Sequence, residues 1–432
     1  MSQTETQQIQ HTDSIDSQDP NQKGSKRKDK TKRPANSAFR QQRLKAWQPI
    51  LTPKTVLPLF FAVGIIFAPI GGLLLWASSE VQEIAIDYSN CIEIAPRIAN
   101  ENVTDGLEDI PSERISKTFK NGNSAAQPAQ WAHYTFDAKY PDNNVYRGVT
   151  IQNTNVCRIQ FDIESDLSPP VFLYYRMTNF YQNHRRYVKS YDPGQLAGAA
   201  KSASSISGTD CAPLDVQDGK PIYPCGLIAN SIFNDTFTTP ILLNPQDGGN
   251  QKRYNMTNQG IAWSSDEALY KKTQYTSDEA IPPPNWRKIW PTYNSSIQPP
   301  DISQWEELFV WMRTAGLPTF SKLALRQDNE TMTAGRYQID IWDEFNTTLY
   351  GGTKSVLIST RTVMGGKNPF LGIAYLVVGG LCIVLGALFT VTYIVKPRKL
   401  GDHTYLTWNN EQPTTATATG RSSRPGENTN SS

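Results

Sequence analysis

Four cysteines, Cys91, Cys157, Cys211 and Cys225, are the residues in the middle of this 432-residue chain whose type and number point most directly to covalent chemistry. An even count in an oxidising compartment forms two disulfides, for which sequence alone allows three pairings. The pairing favoured is Cys91 with Cys157 and Cys211 with Cys225, because the latter closes a short loop containing Pro and Gly. A zinc site is the rival chemistry, but no Cys-x-x-Cys spacing and no nearby His pair supports it. The same stretch carries Asn-x-Ser/Thr acceptors at Asn102, Asn234, Asn255, Asn294, Asn329 and Asn346, each a candidate for N-glycosylation. A further sequon, at Asn430, lies in the carboxyl tail.

Hydrolytic and phosphoryl-transfer chemistry find less support. His133 and His184 are the only histidines of the central segment and stand too far apart in sequence for a metal cluster; His184 reads as a polar residue at a strand end. No Gly-x-Ser-x-Gly elbow or Walker-type loop is present. Asp162, Glu164 and Asp166 have the residue types of a glycosidase acid and nucleophile, but sequence supplies no carboxylate separation to test. Asp29-Lys-Thr31 matches the start of the Asp-Lys-Thr-Gly motif of ion-pumping ATPases, yet Lys32 replaces the Gly within a polar tail, so the match reads as coincidence. The expectation is a protein with no catalytic site, metal or cofactor of its own.

Two apolar spans flank this segment, Thr55 to Ala77 and Phe370 to Val395, and neither contains Asp, Glu, Lys, Arg or His. At about 1.5 Å of rise per residue each crosses roughly 30 Å of hydrocarbon. The first is longer than the apolar region of a cleaved signal peptide and follows a long polar tail, so it reads as a retained anchor. Eleven Lys and Arg residues between Lys23 and Lys54 precede it, and Lys396, Arg398 and Lys399 follow the second span. The positive-inside rule then places both termini in the cytosol and the segment between in the lumen or cell exterior. Lys354, Arg361 and Lys367 run mildly against that orientation.

The formal net charge of +2 gives no excess that would point to nucleic acid. The basic bias is local to residues 1–54, where it suits anionic cytosolic lipids or serves simply as a topology signal. Residues 1 to about 35 and the tail 396–432, especially from Thr414, have few apolar anchors and are expected to be disordered. Between the amino-terminal tail and the membrane, Phe39, Arg43, Leu44 and Trp47 mix apolar and basic side chains suited to the interface or to a partner's cytosolic face. Gly64, Ala68 and Gly72 recur every fourth position in the first span, and Cys382, Gly386 and Thr390 in the second. Small side chains let helix backbones approach, so these ridges fit either a partner helix or pairing of the two spans with each other.

In the segment 78–369, alternation predicts strands over Cys157–Ile163, Val171–Met177, Tyr337–Ile341 and Ser355–Ser359. Pro- and Gly-rich connections between them favour an antiparallel β-sandwich with long loops. A helix is expected around Gln304–Gly316, with Pro318 as its stop; its aromatic stripe is read as core.

The runs Ala38–Leu51, Tyr174–Tyr187, Pro224–Asp235, Gly260–Trp263, Trp311–Pro318 and Gly365–Gly372, in this order, resemble one family, the cell division control protein 50 family of accessory β-subunits of type-IV P-type ATPase lipid flippases. The resemblance covers about Arg33 to Val395. It implies a noncatalytic subunit that escorts the pump from the endoplasmic reticulum towards Golgi, endosomal or plasma membranes. The subunit would also hold the pump competent for moving phospholipid from the lumenal to the cytosolic leaflet. It further implies two disulfides among Cys91, Cys157, Cys211 and Cys225, and a partner interface including Phe39, Arg43, Trp47, Gly64, Ala68, Gly72 and Gly386. The alternative from another class is a glycosylated receptor or adhesion protein that binds a ligand through its ectodomain.

Overall fold

The computed structural model describes residues 37–40, 42–44, 51–103, 105–122, 126–245, 250–361 and 366–397. Leu57–Lys399 is one compact unit, and Met1–Val56 with Leu400–Ser432 is a second. In the second unit a turn closes at Ser37–Arg40, with Arg43 N donating to the Ala38 carbonyl at 2.7 Å. Phe39 and Arg43 are exposed there. Trp47 lies outside the described residues, as do most of both tails.

Two long apolar helices, Pro53–Ser79 and Phe370–Val395, bracket the larger unit, and each is long and apolar enough to cross a membrane. Pro58 and Pro69 both lie inside the first helix without ending it. The two run antiparallel and pack through glycine. A Cβ added to Gly71 would stand 2.7 Å from the Leu376 backbone nitrogen, and one added to Gly379 would stand 2.9 Å from that of Ala68. Gly64 meets Ile383, and Gly386 meets Phe60 and Phe61. The buried small residues recur every seventh position, Gly64, Gly71 and Ser78 on one helix and Gly372, Gly379 and Gly386 on the other.

This corrects the every-fourth ridge read from sequence. A Cβ on Gly72 would meet nothing within 4 Å, and Gly71 takes its place in the seam. At 3.6 residues per turn a four-residue step overshoots a full turn and drifts off the face, whereas a seven-residue step nearly closes two turns. Cys382 is only partly buried, and Thr390 Oγ1 donates to the Gly386 carbonyl of its own helix at 2.7 Å.

Between the helices in sequence stand two large antiparallel sheets and a small two-stranded one, Val216–Gln217 with Lys220–Pro221. The five-stranded sheet runs, edge to edge, Phe320–Gln327, Val171–Met177, Lys354–Thr360, Glu83–Asp87 and Ile115–Thr118. The seven-stranded sheet is centred on Gly335–Trp342, Thr150–Ile163 and Gln130–Lys139. All four strands expected from alternation are present, each within an observed strand. Their inward faces form a largely aliphatic core that includes Ile86, Ile159, Leu173, Ile339 and Ile358, with Phe161 and Trp131 among them.

The expected helix is shorter than its pattern suggested. A 3-10 turn, Ile302–Gln304, leads into one α-helix, Glu306–Met312, which stops well before Pro318. Lys322 explains the stop, because its Nζ donates to the carbonyls of Val310, Trp311 and Arg313 at 2.7, 2.8 and 2.6 Å. A cation at a helix carboxyl end satisfies carbonyls that have no intrahelical partner. Burial, with Arg313 adding to it, pushes the Lys322 pKa down to about 7.

Candidate partner interface and the joints that hold it

The structure joins Cys91 to Cys157 and Cys211 to Cys225, with Cα–Cα distances of 5.9 and 5.6 Å. The first bond ties the short helix Cys91–Ile94 to the central strand Thr150–Ile163. The second is buried in its own small cluster with Ile206 and Ile222.

The carboxylates read as possible acid and nucleophile serve the fold. Asp162 pairs with Arg336 at 3.0 Å, Glu164 with Lys117 at 2.6 Å, and Asp166 Oδ1 accepts from Ala334 N at 2.7 Å. His184 is not at a strand end; it precedes the short helix Arg185–Lys189 and is exposed. His133 Nδ1 lies 2.8 Å from the Ala95 carbonyl. Among the described residues no group of three or more His, Cys, Asp or Glu is placed to hold a metal ion.

Four of the six family-like runs, Tyr174–Tyr187, Pro224–Asp235, Gly260–Trp263 and Trp311–Pro318, meet in or around a second, aromatic core made of loops and short helices. In Pro224–Asp235, the last residue is a hub. Asp235 accepts from Tyr88 OH at 2.8 Å, Lys354 Nζ at 2.6 Å, and the backbone N–H groups of Glu344 and Phe345 at 2.7 and 2.6 Å. Lys354, 1 % exposed, also binds Asp343 at 2.6 Å and the Phe345 carbonyl at 2.6 Å. Burial and the neighbouring Asp235 push the Asp343 pKa up to about 6, while the two carboxylates hold Lys354 above its usual value despite its desolvation.

Gly260–Trp263 is fastened in the same way, with Glu306 accepting from the N–H groups of Gly260, Ile261 and Ala262 at 2.9, 2.8 and 3.0 Å. In Trp311–Pro318, the Trp311 indole donates to the Ile228 carbonyl at 2.9 Å, and Ala315 N donates to Gln182 of the Tyr174–Tyr187 run at 2.8 Å. Trp305, Leu308, Phe309 and Met312 of the helical stripe are buried in this core, in keeping with its reading as core, and Trp311 is fully buried with Phe320 packed against it. Sequence reading missed Lys354, Asp235 and Glu306. An isolated Lys, Asp or Glu gives no sequence sign of burial, because its side-chain partners lie up to 147 positions away.

Two kinds of surface remain for a partner. On the helix pair, Gly64, Ala68 and Gly386 are taken up by the seam, while Gly72 and Gly380 face open space beside exposed Leu73, Leu381 and Val384. On the ectodomain, Tyr181, Leu317 and Leu349 are exposed on adjacent loops, joined through Asn183 Nδ2 to the Gly316 carbonyl and Asn179 Nδ2 to that of Tyr350. Those loops lie at the Met177–Lys354 end of the five-stranded sheet, away from the Thr360 end that leads to the second helix. At that other end Ser78 Oγ accepts from Asn368 N at 3.1 Å and clamps the two helices together.

The profile of the LEM3 (ligand-effect modulator 3) family, also called the CDC50 family, matches residues 74–399. A Chaetomium thermophilum protein named phospholipid-transporting ATPase accessory subunit CDC50 is 40 % identical over 386 residues, covering 87 % of this chain and 91 % of its own. A Saccharomyces cerevisiae protein, phospholipid-transporting ATPase accessory subunit CRF1, is 40 % identical over 88 % of this chain and 90 % of its own. The Bos taurus cell cycle control protein 50A is 37 % identical over 84 % and 89 %. With two membrane-length helices around a disulfide-bonded antiparallel ectodomain, and this match along most of its length, the chain belongs to the LEM3/CDC50 family.

Proposed function

We propose that this chain is the noncatalytic accessory subunit of a phospholipid-transporting type-IV P-type ATPase, required for that pump's folding, export and lipid-flipping activity. The observation that carries the reading is 40 % identity, over nearly nine-tenths of the chain, to proteins named as such accessory subunits. The physical build suits the role. The ectodomain's polar clusters are spent on its own joints, and the helix pair closes on itself yet leaves small-residue notches at Gly72 and Gly380 where another helix can approach. Both termini lie in the cytosol in this reading, and Phe39, Arg43 and Trp47 meet the pump there.

Asn102, Asn234, Asn255, Asn329 and Asn346 are exposed and Asn294 is half-buried, and these sequons are the proposed glycosylation sites. The test is purification of the tagged native protein in mild detergent, with mass spectrometry and a lipid-stimulated ATPase assay on the eluate. A co-eluting P-type ATPase whose yield falls when this chain is deleted is the expected result. A lone glycoprotein would favour a receptor instead.

A further inference from the structure

We infer that the ectodomain contains a sugar-binding cavity whose occupant is the first sugar of the chain's own Asn234 glycan. The inference rests on the proposal that Asn234 is glycosylated. The cavity, of about 340 Å³, lies between the strand Phe320–Gln327 and the aromatic core. That is at the small end of the range, about 300–1,000 Å³, of cavities that take small molecules.

Its depth and its rim differ in chemistry. Its lining includes Trp286, Trp290, Trp305 and Tyr140, none more than 7 % exposed, an aromatic wall that suits the apolar C–H side of a sugar ring. Three polar groups of the lining lack what burial ordinarily demands. The Trp290 and Trp305 indole N–H groups are buried with no hydrogen-bond partner. Glu307, whose pKa burial raises, accepts from Asn258 Nδ2 at 2.6 Å and has no cation at ion-pair distance among the described residues. An unpaired buried donor is a defect in a closed core and an invitation in a cavity. A neutral polyol supplies acceptors for the indoles and hydroxyl donors for the carboxylate without bringing a further charge into a low-dielectric site.

The rim names the source. The exposed lining residues are Pro141, Asn234, Asn258, Asn285 and Lys288, and Asn234 is the sequon among them. Its position is rigid, because the next residue, Asp235, is held by two backbone N–H groups and by the Tyr88 and Lys354 side chains. A sugar bonded to Asn234 Nδ2 is therefore confined at the mouth, where tethering raises its local concentration far above that of any free saccharide.

The test uses the full chain purified from a glycosylating host, with glycopeptide mass spectrometry to read occupancy and a cryo-EM map to locate the sugar. The expected map shows the first ring seated against Trp286 and Trp290 and continuous with Asn234. Asn234→Gln should increase acrylamide quenching of tryptophan fluorescence and lower the melting temperature by roughly 2–4 °C, a shift of about 1 kcal/mol in a domain of this size. Trimming to a single sugar with endoglycosidase H should change neither, nor should Asn255→Gln or Asn346→Gln. A bare Asn234, a first sugar that points into solvent, or a cavity filled by an unattached molecule overturns the inference. The map decides the matter even where Asn234→Gln fails to fold, and co-purification of the ATPase from the same cells reads the accessory-subunit proposal separately.

Discussion

In the sheet core, Cys157, Ile159, Phe161 and Ile163 point one way along Thr150–Ile163 and meet aliphatic partners such as Ile339 and Ile341 on the next strand. In the aromatic region, Trp286, Trp290, Trp305 and Tyr146 pack against one another, mostly edge-on or tilted, with ring centroids 5.1–5.9 Å apart, carried by short helices and loops. The first region satisfies its backbone through the ladder itself. The second has almost no ladder; beside its backbone–backbone turn bonds, side chains fasten the chain at particular points: Glu306 on three amides, Lys322 on three carbonyls, Asp235 on two amides and two side chains. Four of the six family-like runs fall in or around that second region. Many aliphatic residues fill a sheet, whereas a loop fastened by a particular carboxylate accepts little else.

The contrast breaks most readily at the joint between the two regions. Lys354→Met leaves Asp235 and Asp343 buried without their cation and should cost about 3–5 kcal/mol, read as a loss of folded protein in detergent melts. A cost no greater than that of an ordinary surface change would remove the idea that the regions are held by this cluster.

The disulfides sharpen the comparison next. Their loops span 66 and 14 positions, so chain-entropy reasoning gives about 4 kcal/mol for Cys91→Ser against about 3 for Cys211→Ser, with both variants retained in the endoplasmic reticulum. Normal export and unchanged protease resistance of both would contradict this.

Glu306→Gln, which weakens the clasp on Gly260–Trp263, should cost roughly 1–3 kcal/mol and raise proteolysis in that loop, with the sheets unaffected. Hydrogen exchange that quickens equally in both regions would show that they are not separable.

A smaller effect is the pH dependence of Asp343. Its folded pKa, about 6, lies above the ordinary value of 3.8. The stabilisation from its proton is thus full below about 3.8 and lost as pH rises through about 6. Asp343→Asn should flatten the melting temperature across that window, and a slope unchanged from wild type would place the titration elsewhere.

Last, Gly71→Leu should force the helices apart, whereas Gly72→Leu should leave this chain's yield unchanged and reduce only the recovery of the pump.

Hydropathy by itself determined the two spans, because a membrane helix needs about 20 apolar residues wherever its neighbours are. Alternation determined the strands, since a half-buried strand must repeat every second residue. Both signals are local, and both reach only the regular parts of the chain. The seven-residue glycine seam, the early stop at Met312, the Lys354 cluster and the cavity beside Asn234 were decided only in three dimensions. Each depends on groups brought together from distant positions, Lys354 on Asp235 and Gly71 on Leu376, and no local pattern records which charge or which helix face will find a partner.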